Sequence, residues 1–139
     1  MAVTNTAIFP QAFAHDKCVC TAANTTYTAT TNMVLLSTAG ANGSEYPHIS
    51  AIPQATNVLT NLQLFIYDGT TPYLVAMAVM AAQTLSTTTA LAPVPLMHID
   101  GTAITEANPL RLQSGYKLYA ATGVANAGGI VFNAQRKDY

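Results

Sequence analysis

Charge is what this sequence has least of. Its 139 residues include five Lys and Arg and six Asp and Glu, and no charged residue lies between Asp68 and Asp100. Charge this sparse excludes a disordered acidic or basic tail. The short run Gln135-Arg136-Lys137-Asp138-Tyr139 and the single Lys117 make no basic patch, which excludes an electrostatic nucleic-acid binder. Tryptophan is absent and there are two cysteines, Cys18 and Cys20. At that spacing on a strand a bridge would strain the backbone, so no disulfide framework is expected. Long apolar runs are missing too. The densest, residues 73–82, has half the ~20 residues that a membrane-spanning helix needs, and Gln83 and Ser86-Thr87-Thr88-Thr89 follow it. No membrane segment is expected. Residues 1–13 hold no Lys or Arg and no uninterrupted apolar core, so no secretory signal is expected either. Without one, the sequons at Asn24 and Asn42 read as chance products of a Thr-rich chain.

What the sequence does have is alanine, 24 residues, and threonine, 20. A surface of small uncharged groups costs little to desolvate and suits packing against copies of itself or a scaffold. The length is that of one domain with a core of its own. No segment keeps a helical period, whereas Thr, Val and seven Tyr are punctuated every eight to twelve residues by Gly, Pro, Asn or Asp. The clearest strand is residues 59–68. There Leu62, Leu64 and Ile66 alternate with Gln63, Phe65 and Tyr67, which predicts an aliphatic face turned inward and Gln63 turned away, ahead of a turn at Asp68-Gly69. Residues 73–82 are apolar on both faces and read as a strand covered on both sides or a short buried helix. Further strands are expected at 18–22, through the Thr-rich stretch to 31, and at 33–37, 48–52, 94–99, 110–112, 116–122 and 130–133. The expected fold is an all-β antiparallel two-sheet sandwich of about eight strands, jelly-roll-like, over residues 17–139, preceded by an extended N-terminal arm at 1–16 with apolar anchors Ile8, Phe9 and Phe13 around Pro10.

Catalytic chemistry is hard to assemble from these residues. The histidines are His15, His48 and His98, no Ser lies in a Gly-x-Ser-x-Gly elbow, and the six carboxylates are scattered. His98 and Asp100 would share a strand face, as any strand entering an Asp-Gly turn allows. His15, Cys18 and Cys20, with His48 as a fourth ligand, are half of a zinc site, and two small buried thiols beside a surface His are the simpler reading. Neither Gly40 to Ser44 nor Gly128-Gly129 leads into a phosphate cradle. Tyr67, Tyr73, Tyr116 and Tyr119 could form a platform for sugar rings, although Tyr at the edge of a sandwich core is the commoner arrangement. The expectation is therefore a protein that is not an enzyme and uses no metal or cofactor.

An ordered succession of motifs carries a resemblance. Ser37-Thr38-Ala39-Gly40-Ala41-Asn42-Gly43-Ser44, then Thr56-Asn57 leading into Leu62-Gln63-Leu64-Phe65-Ile66-Tyr67-Asp68-Gly69, then Pro109-Leu110-Arg111-Leu112-Gln113-Ser114-Gly115-Tyr116-Lys117-Leu118, and a close at Asp138-Tyr139, are similar to small virion structural proteins of tailed bacteriophages. It covers about residues 37–139. The departures are Glu45-Tyr46-Pro47, where a basic residue is more usual, and the uncharged run after Asp68. The resemblance implies a β-sandwich that decorates and cements a capsid in the virion, assembled in the host cytoplasm. Its partners would be the major capsid protein and itself, as a homotrimer or at two-fold positions a dimer. A tail, neck or fibre accessory protein, or a carbohydrate- or receptor-binding β-module, is the alternative. The candidate contact residues are Ile8, Phe9, Pro10, Phe13 and Tyr46.

Overall fold

The computed structural model describes residues 9–139, and among them there is no helix. The described residues form ten strands: β1 (Ala12–Cys20), β2 (Val34–Thr38), β3 (Ser44–Pro53), β4 (Thr60–Tyr67), β5 (Pro72–Met80), β6 (Val94–Pro95), β7 (Met97–His98), β8 (Leu110–Leu112), β9 (Lys117–Thr122) and β10 (Ile130–Asp138). One sheet runs β1-β10-β3, with β8 and β6 end to end along the far edge of β3. The other runs β2-β9-β4-β5-β7. Four of the antiparallel pairings are nested in the sequence: β1 with β10, β2 with β9, β3 with β8, β4 with β5. The chain is thus one long hairpin doubled back at the β4–β5 turn and rolled into two facing sheets, which is jelly-roll order. The strand expected at 94–99 is found as two two-residue strands, β6 and β7, which join different sheets.

The hairpin that starts this nesting is written locally. Tyr67 pairs with Pro72, leaving Asp68, Gly69, Thr70 and Thr71 as the loop. Asp68 Oδ1 accepts the backbone N–H groups of Thr70 at 2.8 Å and Thr71 at 2.9 Å, and Gly69 takes φ +101°, a left-handed value at which a side chain would be strained. Those two N–H groups hold the Asp68 carboxyl below the usual carboxylate range.

Between the sheets the inward positions carry the core. Tyr46, Ile49 and Ala51 come from β3, Leu62 and Leu64 from β4, Ala76 and Met80 from β5, Leu118 and Ala120 from β9, Ile130, Phe132 and Ala134 from β10. The inward set predicted for β4 is therefore the one found, with Ile66 half-buried against the same cluster. Its other face is covered as well. Gln63 does point away from the inter-sheet core, but it is 1% exposed, and its neighbour Phe65 is fully buried. The cause is the β1–β2 connection, residues 21–33, which folds back over the outer face of the second sheet instead of forming a Thr-rich strand. Asn24 N donates to Thr122 O at 2.7 Å, Asn32 takes φ +59° so that its Nδ2 donates to Ala23 O at 2.8 Å, and Met33 packs on Phe65 and Ala121. This cover stops short of β5, which is a strand and not a helix, and whose Tyr73 and Val79 lie exposed.

The N-terminal boundary also moves. Residues 12–16, expected in an extended arm, are the first half of β1, paired in register from Ala12 opposite Asp138 to Asp16 opposite Ala134. Asp16 and Lys17 interrupt the apolar alternation and hide the strand from a periodicity reading. In the fold the alternation is intact, with Asp16, Cys18 and Cys20 turned inward and His15, Lys17 and Val19 outward. The inward Asp16 is met by Arg136 Nη1 at 3.0 Å and by the Ser37 hydroxyl, which donates to it at 2.5 Å. Tyr46 donates its hydroxyl to the same Ser37 oxygen at 2.7 Å. Ser44 donates to Asp138 at 2.5 Å and receives the Gly40 N–H at 2.9 Å. One end of the core is thereby closed by a connected polar plug.

The C-terminus is fastened beside it. Tyr139 donates its hydroxyl to Glu45 Oε2 at 2.7 Å, and Arg111 Nε donates to Glu45 Oε1 at 2.8 Å. The Tyr139 hydroxyl and then the guanidinium hold the Glu45 carboxyl below its ordinary value. A lowered folded-state value means that this contribution to stability is present above the unfolded glutamate pKa of 4.5 and is lost as pH falls through the lower folded value. We expect Glu45→Gln to melt below wild type at neutral pH and the gap to close in acid. A gap that is constant from pH 7 to well below 4.5 would remove Glu45 ionisation as its cause.

Candidate functional site

The sequence-predicted contact residues separate into two groups. Phe9 and Phe13 are each 74% exposed, and Pro10 is half-buried between them. Ile8 lies outside the described residues. Tyr46 is corrected: it is 0% exposed, on an inward position of β3, with its hydroxyl committed to the polar plug and its ring in the core. Burial raises its pKa, the Ser37 hydrogen bond opposing this in part. It offers nothing to a partner.

Phe13 stands on β1, which has β10 on one side and, among the described residues, no strand on the other. Among the described residues, that side leaves backbone N–H and C=O groups unpaired along a nine-residue strand. The inward charge of Asp16 and the outward Lys17 are the features that resist indiscriminate pairing at such an edge. Beside it a shallow cleft of about 280 Å³ is lined by Phe13, Ala14, His15, Pro47, Glu106, Gln135, Arg136 and Lys137, with Lys137 and Glu106 ion-paired across its rim. Pro47 sits where β10 and β3 shift register between Gln135 and Lys137, a place where a residue without an N–H costs no ladder bond.

A second depression, of about 400 Å³, opens on the outer face of the other sheet. It is lined by residues 24–28, Asn61, Gln63 and Gly123. Asn24 Nδ2 donates to Gln63 Oε1 at 2.9 Å and Gln63 Nε2 donates to Asn61 Oδ1 at 3.0 Å, so three amides form a directed chain. Asn24 is 2% exposed, and its Oδ1 has no hydrogen-bond partner among the described residues. The Tyr27 ring leans on Phe65, with centroids 5.7 Å apart at 58°, and is 42% exposed. Gly123 is what lets Asn61 come this close, since a Cβ there would lie 2.0 Å from Asn61 Oδ1. The sequence reading missed this group. The available signals were the two polar residues Asn61 and Gln63 flanking Leu62 in an apolar strand, and the Asn24 sequon, whose buried amide the fold uses internally.

The other constellations do not assemble. His15 points outward from β1 and Cys18 and Cys20 inward, so the half zinc site is split across the two faces of one strand. A hydrogen bond with Cys18 and then burial keep the Cys20 thiol protonated. His15 and His48 both stand in register with Gln135, which separates them on the outer face. Among the described residues no three His, Cys, Asp or Glu side chains converge as metal ligands. His98 donates through Nε2 to the backbone carbonyl of Asn108 at 3.0 Å, and Asp100 accepts from the Thr102 N–H and hydroxyl at 2.9 and 2.7 Å, so the two form no dyad. The four tyrosines form no common platform. Tyr67 and Tyr119 pack edge to face 5.6 Å apart, Tyr116 packs against the core and Tyr73 stands apart on β5. Compared with known proteins, the chain matches no family model, no curated protein and no solved structure.

Proposed function

We propose that this chain is a non-enzymatic structural protein that attaches, as a symmetric oligomer, to a shell built from repeated subunits, in the manner of a bacteriophage capsid decoration protein. The observation that carries the reading is the edge of β1, unpaired among the described residues, with Phe9 and Phe13 each 74% exposed beside it. Two phenylalanines in that position are costly to leave wet, and burying each against a partner contributes about 1.5 to 3 kcal/mol, repeated at every copy. The unpaired backbone of β1 supplies the complementary hydrogen bonds, so a neighbouring strand added at this edge gains both terms at once. The sparse charge fits the same role, because few ionic groups need desolvation on docking. Jelly rolls serve both viral shells and sugar-binding modules, so the fold by itself does not choose between those classes.

The test is the double variant Phe9→Ser, Phe13→Ser. Both side chains are exposed, so its stability should stay within about 0.5 kcal/mol of wild type. Wild-type protein is expected to sediment as a closed oligomer and to bind particles assembled without it, at many copies per particle. The double variant is expected to remain folded, to lose the oligomer and to leave the particles bare. Full binding by the double variant would remove the β1 edge as the attachment surface, and a handful of copies confined to a tail tip would remove the decoration role.

A further inference from the structure

The sheet edges are unequally guarded. Among the described residues they are β1, β2, β7 and the side of β3 that carries β6 and β8. Short or bulged edge strands are the usual protection against pairing with another chain, and all but one of these edges have it. β6 and β7 have two residues each, β8 has three, and β2 has five broken by a register shift between Leu35 and Ser37. β1 has nine, and its register with β10 runs without a shift from Ala12 to Cys20. Taking this edge as the attachment surface proposed above, we infer that its occupant is β1 of a second copy, antiparallel about a two-fold axis, so that one sheet runs through both chains.

The charges on β1 choose the register. Facing residues of an antiparallel pair share a side of the sheet, and on a two-fold axis one residue lies opposite itself. Full overlap of residues 12–20 would set Asp16 against Asp16, and moving the axis one residue toward the C-terminus would set Lys17 against Lys17. Like charges directly opposite are destabilising, so both are excluded. Moving the axis one residue the other way places His15 on it. Imidazole, unlike a carboxylate or an ammonium, sheds its charge by pH 8 and so tolerates facing its own copy. On the inner side Asp16 then faces Ala14, and on the outer side Lys17 faces Phe13, each pair occurring twice by symmetry. Phe13 is 74% exposed in the single chain, and the lysine stem covers its ring while the ammonium lies against the aromatic face. The one anion and the one cation of β1 thus each meet an uncharged residue, and an exposed ring meets the cation. The same two charges that ward off other registers leave this one open.

The experiment begins with sedimentation of the full chain at pH 8 up to about 100 μM, where a specific contact is populated. Twice the chain mass of 14.6 kDa is expected. Single variants Phe13→Cys, Ala14→Cys, His15→Cys and Lys17→Cys are then oxidised with glutathione disulfide, wild type serving as the control for Cys18 and Cys20. Facing Cα atoms lie about 4.5 to 5.5 Å apart, within disulfide range. In this register residue 14 is about 8 Å from its copy, and residues 13 and 17 about 14 Å from theirs, so only His15→Cys is expected to be captured as a covalent dimer. Phe13→Lys, which sets two cations opposite each other, is expected to weaken the dimer about tenfold or more, and Phe13→Lys, Lys17→Glu to recover most of that loss. A chain that stays monomeric at about 100 μM overturns the pairing, leaving residues 1–8 or a strand of another protein as the occupant. Capture at position 13, 14 or 17 in place of 15, or no recovery in the charge-swapped variant, overturns it as well. An oligomer that does not link through His15 overturns the two-fold pairing and spares the attachment reading, whereas an intact dimer that leaves bare particles undecorated does the reverse.

Discussion

Replacing Arg136 by Met is expected to lower the stability of this protein by about 3 kcal/mol, toward the lower end of the 3 to 5 kcal/mol typical for removing one partner of a buried ion pair. Arg136 is the hub of the polar plug, with its side chain 20% exposed. Its Nη1 lies 3.0 Å from Asp16 Oδ2 and donates to the Ser37 hydroxyl at 3.2 Å and to Thr38 O at 2.9 Å. Its Nε is 3.1 Å from Asp138 Oδ1 without being aligned for a hydrogen bond, so that contact is Coulombic. Met matches the volume but leaves two largely buried carboxylates facing one another with no cation between them. The cost should therefore come from the stranded charges and not from lost packing. That attribution has its own check: the triple variant Asp16→Asn, Arg136→Met, Asp138→Asn should recover most of the loss in urea unfolding, since removing a whole buried charge cluster is often close to neutral. An Arg136→Met protein with the wild-type midpoint would mean that water reaches the plug and solvates both acids.

Phe132→Ala should cost as much or more, about 3 to 5 kcal/mol. Phe132 is fully buried in the middle of β10, the central strand of its sheet, and its register neighbours are Cys18 on β1 and Ala51 on β3. A large ring flanked on both sides by small side chains fills space that neither neighbour can reclaim, so the cavity stays open and the full penalty applies. Asn133→Ala, one residue along and on the outer face, should remain within about 0.5 kcal/mol of wild type. Denaturant unfolding measures both. A Phe132→Ala loss below about 1 kcal/mol would show that the strands close over the gap.

The β4–β5 hairpin was legible before any coordinates, because everything that makes it is local: an alternation of Leu62, Leu64 and Ile66 with their neighbours, and an Asp-Gly pair whose carboxylate and left-handed glycine close the loop. The same holds for the all-β class and for the segments around β2, β3, β8 and β9, where turn residues bracket short apolar runs. β1 was half legible. Its first residues read as an arm because they show no apolar alternation, and only the arrival of Arg136 from the far end of the chain makes an inward carboxylate acceptable at Asp16.

The surfaces were another matter. Phe9 and Phe13 stand out as large apolar anchors around Pro10 and are exposed, whereas Tyr46 stands out through its neighbours and is buried, since a tyrosine hydroxyl three positions from a proposed loop gives no sign that Ser37 will take it into the core. By itself the sequence determined which residues alternate, where the chain turns and that no electrostatic or obvious catalytic chemistry is written into it. Only the tertiary structure decided which strand faces are covered and by what. Period-two patterning distinguishes one face of a strand from the other, yet whether the second face meets water or a returning loop depends on contacts between distant segments, as Gln63 beneath Asn24 and Tyr27 shows.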